Sequence, residues 1–437
     1  MRFINFLKSD YRLRIFCYLS FWLFYLSFMS QASLRGIDWL PFQEERVRNA
    51  IAHMLNNPSL FKYGLTSWLP LDLPENRIYA VQAHEYIHYF ALMKIGGEQF
   101  FSKVAPHIDK LIIFLLSFSV AEISLKLFEK YKNLSNNIIG ISSFIIFSTS
   151  PYSYRMLLAS WQDTYFLLFL FISYLLFYNS KYRFGLAVLT YGLLWQYHWS
   201  TLLGFLYLLI YIYIFILNKN KNLILIFPPG FRSKIKSKIF IIVFFFAPLI
   251  NLIQYIFLRI NDYQLSNSSF LYRVGINNAL NWHHGGWMST LQFIGGNRIS
   301  LCLKPESFNV DLTNISLAQI FTYNCLFSII SFSTISIIAI ISYSLFARKE
   351  VYSRWILVPL FITFIVFISI FQQALAAHLQ GHSIFFAPIF TIGIISIFFQ
   401  FSWLNKNHLY SHILFFTIVF GVAITNIRVS FLTGVNG

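Results

Sequence analysis

Long apolar runs, separated by short polar stretches, make up most of the chain. A helix that crosses the hydrocarbon core of a bilayer needs roughly 20 predominantly apolar residues, and about eleven of the runs approach that length. The predicted spans are 15–34, 111–128, 136–150, 164–178, 184–195, 199–217, 239–259, 319–346, 355–375, 384–403 and 411–427. We therefore predict an all-α fold, a polytopic membrane helical bundle. It forms a single domain over residues 1–437, because no polar stretch is long enough for a core of its own.

The segment 78–95 resembles a further span, but it carries two histidines, a glutamate and a lysine. We predict that it is a juxtamembrane helix that does not cross. Basic clusters lie at 130–132, 181–183, 219–238, 348–354 and 406. With the segment excluded from the spans, all of these clusters fall on the side of the N-terminus, as the positive-inside rule requires of cytoplasmic loops. The N-terminus is then cytoplasmic, and the loops 35–110 and 261–318 lie outside.

The first outside loop contains an amphipathic pattern over residues 43–57. Its apolar positions recur at i, i+4, i+7 and i+8 and are Val47, Ile51, Met54 and Leu55. This spacing predicts a helix that lies on the membrane with one apolar face. The Asn56-Asn57-Pro58 sequence ends it.

Three carboxylates, Asp38, Glu44 and Glu45, fall within eight residues at the start of that helix, in a chain with only 16 Asp and Glu. Ionisable groups at a membrane boundary are costly and tend to mark sites or pathways. One interpretation is that the helix dipole favours acids in the first turn. The other is that a positioned carboxylate removes a proton from a hydroxyl group.

Composition supports the membrane class. The chain is 57% hydrophobic and 11% charged, with a mean hydropathy of +0.61, which exceeds what one soluble core can bury. A net charge of +17 would suggest nucleic acid in a soluble protein, but here it indicates basic cytoplasmic loops beside anionic headgroups. We therefore predict a lipid bilayer as partner and no nucleic acid. Richness in Ile, Lys, Asn and Phe suggests an AT-rich genome and a bacterial inner membrane.

Further candidate residues lie in the other outside loops. Arg155 is the first candidate for a phosphate contact, because guanidinium binds phosphate in bidentate fashion. Arg273 and Arg298 in the long loop are weaker candidates. Asp163 is a candidate catalytic acid, and it also fits the N-cap of a helix that begins at Thr164.

The long outside loop also holds Trp282 and His283, in a stretch suited to stacking on sugar faces. Aromatic residues are equally common as interface anchors. His378 and His382 lie four residues apart in a short turn between two predicted spans, where they are candidates for substrate binding or for polar capping of the turn.

A competing motif is the HEYIH sequence, in which His84 and His88 have the H-E-x-x-H spacing of zinc proteases. On a helix the two imidazoles would bind zinc and Glu85 would activate water. Such a site needs a third ligand, for which Glu98, His107 and Glu122 are candidates without a pattern to favour them. The alternatives are polar residues lining a cavity, or a divalent-metal or substrate contact within a transferase.

Three segments carry a resemblance to a known family. They are PFQEERVRNAIAHML at 41–55, FSTSPYSYRMLLASWQDTYFLLF at 147–169 and HLQGHSIFFAPIF at 378–390. Together with the first helix, they resemble the GT-C class of polytopic glycosyltransferases, which includes protein mannosyltransferases and aminoarabinose transferases. The family usually has Asp-Glu at the start of the amphipathic helix, where this chain has Gln43-Glu44.

The resemblance implies transfer of a sugar, with inversion, from a polyprenyl-phosphate-linked donor to a lipid, glycan or protein acceptor. The base would be Glu44, Glu45 or Asp38, and these acids and Asp163 would face one cavity open to lipid. The alternatives are a membrane zinc metalloprotease and a transporter or flippase of lipid-linked sugars. A transporter would favour paired charges, broken helices and an internal repeat, which the sequence does not display.

Overall fold

The computed structural model describes residues 11–32, 37–39, 41–71, 77–78, 80–128, 136–158 and 162–194, with separate positions between 246 and 265, 387 and 395, and 413 and 427. The helices are α1 (Tyr11–Ala32), α2 (Pro41–Asn56), α3 (Pro58–Lys62), α4 (Ile87–Phe128), α5 (Asn136–Ser148), α6 (Pro151–Leu158), α7 (Gln162–Tyr178) and α8 (Tyr182–Leu194). The strands are β1 (Leu65–Ser67), β2 (Arg77–Ile78), β3 (Ala80–Gln82) and β4 (Gln264–Leu265), and a 3-10 helix covers Ala83–Glu85. The described part is mostly helical, which confirms the coarse prediction of an all-α protein.

One helix of the described part is long and apolar enough to cross a bilayer, over Tyr11–Gln31 near the N-terminus. Shorter apolar stretches cover Asn137–Ser148 in α5 and Thr164–Tyr178 in α7. The predicted spans at 15–34, 111–128, 136–150, 164–178 and 184–195 all coincide with helical segments. Described positions within 239–259, 384–403 and 411–427 are also helical. The spans predicted at 199–217, 319–346 and 355–375 lie outside the described residues.

Helices α1 and α4 pack in antiparallel register along matching stripes. Tyr18 contacts Phe118 with ring centroids 5.8 Å apart, and Trp22 contacts Phe114 at 6.2 Å. One turn earlier, Arg14 Nε donates to Glu122 Oε1 at 3.1 Å. Residues four apart share one face of a helix. The three contacts, spaced by four residues on each helix, therefore lie along one continuous interface, with the ion pair at its end.

The segment 78–95 is not one helix. Residues 80–82 form strand β3, which pairs antiparallel with β1 through the Thr66↔Val81 register, and α4 begins only at Ile87. The prediction of a helix that starts near residue 78 is therefore wrong. The pairing with β1 satisfies the backbone of this stretch and overrides its helical pattern.

Helix α4 changes direction at Gly97, whose φ of 69° lies in the left-handed region. Glycine adopts this conformation without the steric cost that a Cβ atom imposes. The first part of α4 therefore ends close to residue 95, where the predicted juxtamembrane helix ends. The second part runs from the bend into the apolar stretch that begins at Leu111.

Helix α2 has the predicted bounds to within about two residues, which is the ordinary uncertainty of helix ends. Three of the four predicted apolar residues, Val47, Ile51 and Met54, are buried in one cluster with Phe101 and Ala105 of α4, whereas Leu55 is 47% exposed. Burial of such side chains contributes about 1.5–3 kcal/mol each. The prediction that this face lies on the membrane is therefore wrong, because the protein itself covers it.

Candidate functional site

The turn that follows α1 carries an exposed carboxylate beside a buried lysine. Asp38 Oδ1 lies 3.8 Å from Lys110 Nζ in α4. The Asp38 side chain is 87% exposed, whereas the Lys110 side chain is 7% exposed. Burial lowers the pKa of Lys110 below its usual range, and the nearby Asp38 carboxylate opposes that shift. This pair is therefore a solvent-exposed carboxylate with a buried amine at its side.

The neighbouring residue, Asp109, forms the centre of a buried hydrogen-bond network. Its Oδ2 accepts from Trp39 Nε1 at 2.7 Å. Its Oδ1 accepts from the hydroxyls of Tyr89 at 2.7 Å and Tyr165 at 2.9 Å. Asp109 is only 2% exposed, so these three donors compensate the cost of burying its carboxylate.

Sequence reasoning missed Asp109. A signal was available, since Asp109-Lys110 are consecutive charged residues directly before a predicted span, where charges are costly. No motif surrounds them, however, and their partners are distant in sequence. Trp39 is 70 residues away and Tyr165 is 56 residues away.

The HEYIH histidines lie on different elements. His84 is in the 3-10 helix, and His88 is in the first turn of α4. His88 Nε2 is 3.1 Å from the Tyr165 hydroxyl, which joins it to the Asp109 network. Burial lowers the pKa of each histidine to about 4, so both are neutral at physiological pH.

The third zinc ligands considered from the sequence have other partners or are exposed. Glu98 Oε1 accepts from Arg48 at 2.7 Å, and Glu122 is paired with Arg14. His107 is exposed. Within the described part of the chain, no group of three or more His, Cys, Asp or Glu side chains could hold a metal ion. The two histidines thus gain no third ligand from those residues.

Glu44 and Glu45 differ in their surroundings. Glu44 Oε1 accepts from Arg48 Nη2 at 2.7 Å and from Arg48 Nε at 3.0 Å. The same guanidinium contacts Glu98 and the Ser102 hydroxyl in α4, so this network fastens α2 to α4 just beyond the bend at Gly97. Glu45 is exposed on α2. Of the three acids, Asp38 alone is both exposed and adjacent to a buried cation in this part of the structure.

The remaining predicted residues lie partly outside this site. Arg155 is in the short helix α6, which lies between the predicted spans 136–150 and 164–178. Asp163 is the second residue of α7 and not the N-cap before a helix that begins at Thr164. Tyr165 follows in the same turn, so the N-terminal turn of α7 lies beside Asp109. The other candidates fall outside the described residues and are Arg273, Arg298, Trp282, His283, His378 and His382.

Comparison of the chain with protein-family models, with curated proteins and with solved structures finds no match.

Proposed function

We propose that the protein is an integral membrane glycosyltransferase that moves a sugar from a polyprenyl-phosphate-linked donor to an acceptor hydroxyl on the non-cytoplasmic face. The observation that carries the proposal is the exposed Asp38 carboxylate beside the buried Lys110 at the end of the first apolar helix. The proposal includes a polytopic bundle with a cytoplasmic N-terminus in a bacterial inner membrane. The GT-C resemblance of the α2 segment supports the same reaction class.

Asp38 is the residue we propose as the base. An acceptor hydroxyl must lose its proton as it attacks the anomeric carbon, and a carboxylate within hydrogen-bond reach can accept that proton. The exposure of Asp38 allows such an approach. Glu44 is less suited to this role, because its oxygen already accepts two hydrogen bonds from Arg48.

In this scheme, Lys110 lies on the same side of the anomeric carbon as the base. In an inverting displacement, the attacking hydroxyl and the departing phosphate lie on opposite faces of the anomeric carbon. Lys110 Nζ lies 3.8 Å from Asp38, on the side of the attacking hydroxyl, so it is not placed to meet the departing phosphate. The departing phosphate then needs a cation elsewhere, and Arg155 in α6 is the residue that we propose for it.

The outer surface of α1 supports a membrane location. Phe16, Leu23 and Phe24 are 66%, 65% and 66% exposed, although they are large and apolar. Such a face is costly in water and suits lipid tails. Tyr18 and Trp22, on the opposite side, are buried against the protein.

The test uses the purified full chain in lipid nanodiscs with a radiolabelled polyprenyl-phosphate sugar, and it measures both transfer and hydrolysis. General-base catalysis contributes on the order of 10²- to 10⁴-fold, so we expect Asp38→Asn to lower kcat at least 100-fold. Glu45→Gln is measured beside it, because Glu45 is the other exposed acid among the three candidate bases; with Asp38 as the base, this variant should retain kcat within about threefold.

Three results would overturn all or part of this proposal. An active Asp38→Asn variant would assign the base to another carboxylate, with Glu44→Gln the next variant to measure. Zinc content is read in parallel, and stoichiometric zinc that disappears with His84→Ala would replace the transferase by a metalloprotease. Wild-type protein that transfers and hydrolyses no lipid-linked sugar would contradict the reaction class itself.

A further inference from the structure

Two consecutive residues of the turn after α1 contact two consecutive residues of α4. Trp39 Nε1 donates to Asp109 Oδ2 at 2.7 Å, and Asp38 lies 3.8 Å from Lys110. The first contact is a short hydrogen bond to a buried carboxylate. The second is a longer contact made by an exposed side chain. The indole–carboxylate bond is therefore the shorter and more deeply buried of the two polar contacts that hold the turn carrying Asp38.

The acceptor of this bond is itself held in place. Asp109 receives hydroxyl donors from Tyr89, which precedes the bend in α4, and from Tyr165 in α7. The two hydroxyl oxygens lie 3.1 Å apart. Hydrogen bonds to an ionised acceptor are roughly twice as strong as neutral ones. A satisfied buried network of this kind is rigid, so Asp109 provides a fixed point from which the turn is oriented.

We propose that Trp39 and Asp109 are positioning residues that hold Asp38 at the place where it meets the acceptor hydroxyl. This inference rests on the proposed function, and it adds two residues that touch no substrate. Catalysis depends on geometry to within about 1 Å, and a misplacement of that size can cost on the order of 100-fold in rate. The position of Asp38 follows directly from its neighbour in the chain.

The hydrogen bond of Trp39 can be separated from the packing of its ring. The indole packs edge-on against Tyr89, with centroids 5.4 Å apart, and against Phe101 at 6.3 Å. Trp39→Phe retains an aromatic ring in that space and removes the N–H donor together with part of the indole's volume. The same size change at a second tryptophan, one that does not contact Asp109, separates the lost bond from the lost volume.

Trp68 provides the matched control. It packs against the same hydrophobic cluster, and its Nε1 donates to the Tyr86 hydroxyl instead of Asp109. We expect Trp39→Phe to lower kcat about 10- to 100-fold with KM within about twofold, and Trp68→Phe to retain kcat. Because Asp109→Leu removes the acceptor of the same bond, the double variant with Trp39→Phe should be no slower than Asp109→Leu alone. Equal losses in the two tryptophan variants, or losses that multiply in the double variant, would overturn the proposal.

A second measurement separates this inference from the proposed function. In a chain with Cys17, Cys302 and Cys325 replaced by serine, a nitroxide is attached at Asp38→Cys and its motion is read by electron paramagnetic resonance. We expect a restricted label that becomes faster with Trp39→Phe and is unchanged with Trp68→Phe. If the label responds in this way but the wild-type protein is inactive, the anchoring of the turn is supported and the transferase proposal is rejected. A label that does not respond to Trp39→Phe would reject the positioning role, whatever the activity.

Discussion

The Asp109→Leu variant removes the central carboxylate and keeps approximately its size. The Tyr89 and Tyr165 hydroxyl oxygens lie 3.1 Å apart, and the Tyr165 hydroxyl lies 3.1 Å from His88 Nε2, so each tyrosine keeps a partner. The indole N–H of Trp39 instead loses its acceptor. A bond to a charged group contributes about 1.5–3 kcal/mol, and a buried donor left without an acceptor costs about 1–3 kcal/mol. These terms overlap, and we expect the free energy of unfolding to fall by about 2–4 kcal/mol.

The measurement is reversible unfolding of the purified chain in mixed micelles, followed by tryptophan fluorescence. Trp39→Phe in the Asp109→Leu background removes the donor left without an acceptor, so the double variant should recover on the order of 1 kcal/mol. Glu45→Gln is the control for charge removal at an exposed position and should change stability by less than about 0.5 kcal/mol. Asp109→Leu as stable as this control, or a double variant less stable than Asp109→Leu, would refute the reasoning.

Three further predictions concern the backbone, the surface and the buried histidines. Gly97→Ala should lower the free energy of unfolding by about 1–2 kcal/mol, because Gly97 has a positive φ. Gly421→Ala is the control, since a Cβ there meets equally open space, and it should be neutral or stabilising. Thermal melts of the two variants test the difference. Arg48→Gln should lower the melting temperature slightly. Because the Arg48 ion pairs are partly exposed, 1 M salt should screen them and abolish the difference in melting temperature from wild type. A difference that stays the same in 1 M salt would contradict this prediction. For His84 and His88 the folded-state pKa of about 4 lies below the unfolded value of about 6.5, so the unfolded chain binds more protons between these values. Stability should be full above pH 6.5 and fall as the pH drops toward 4, and His88→Gln should flatten that dependence in melting curves.

The helices were the predictable part of the fold. Helix α2 follows from the spacing of Val47, Ile51 and Met54, and its end follows from the Asn-Asn-Pro sequence. The same spacing could not tell what covers the apolar face. A periodic pattern shows that one side of the helix is apolar, but another helix such as α4 can cover that side as well as a bilayer can. The contact between α2 and Phe101 depends on the bend of α4 at Gly97. The one local indication of that bend in the sequence is a Gly-Gly pair.

Strand β3 and the Asp109 network were beyond sequence reasoning for a different reason. Val81 pairs with Thr66, and Asp109 takes its donors from Trp39, Tyr89 and Tyr165. Neither feature repeats with a local period. Each depends on which distant segments meet, and a single sequence without aligned relatives provides no direct signal for such pairs. Asp38, in contrast, was predictable, because an acid directly after an apolar helix is conspicuous in a chain poor in carboxylates.

The HEYIH motif shows how local geometry decides the meaning of a spacing. Two histidines four apart bind one zinc ion when a continuous helix presents both on one face. Here a 3-10 turn containing His84 precedes the α-helical turn containing His88, so the spacing does not correspond to one helical face. His88 contacts Tyr165, which binds Asp109, and thereby links the start of α4 to α7. The second histidine of the motif therefore belongs to the same network that anchors Trp39. Within the described residues, no set of metal ligands accompanies it.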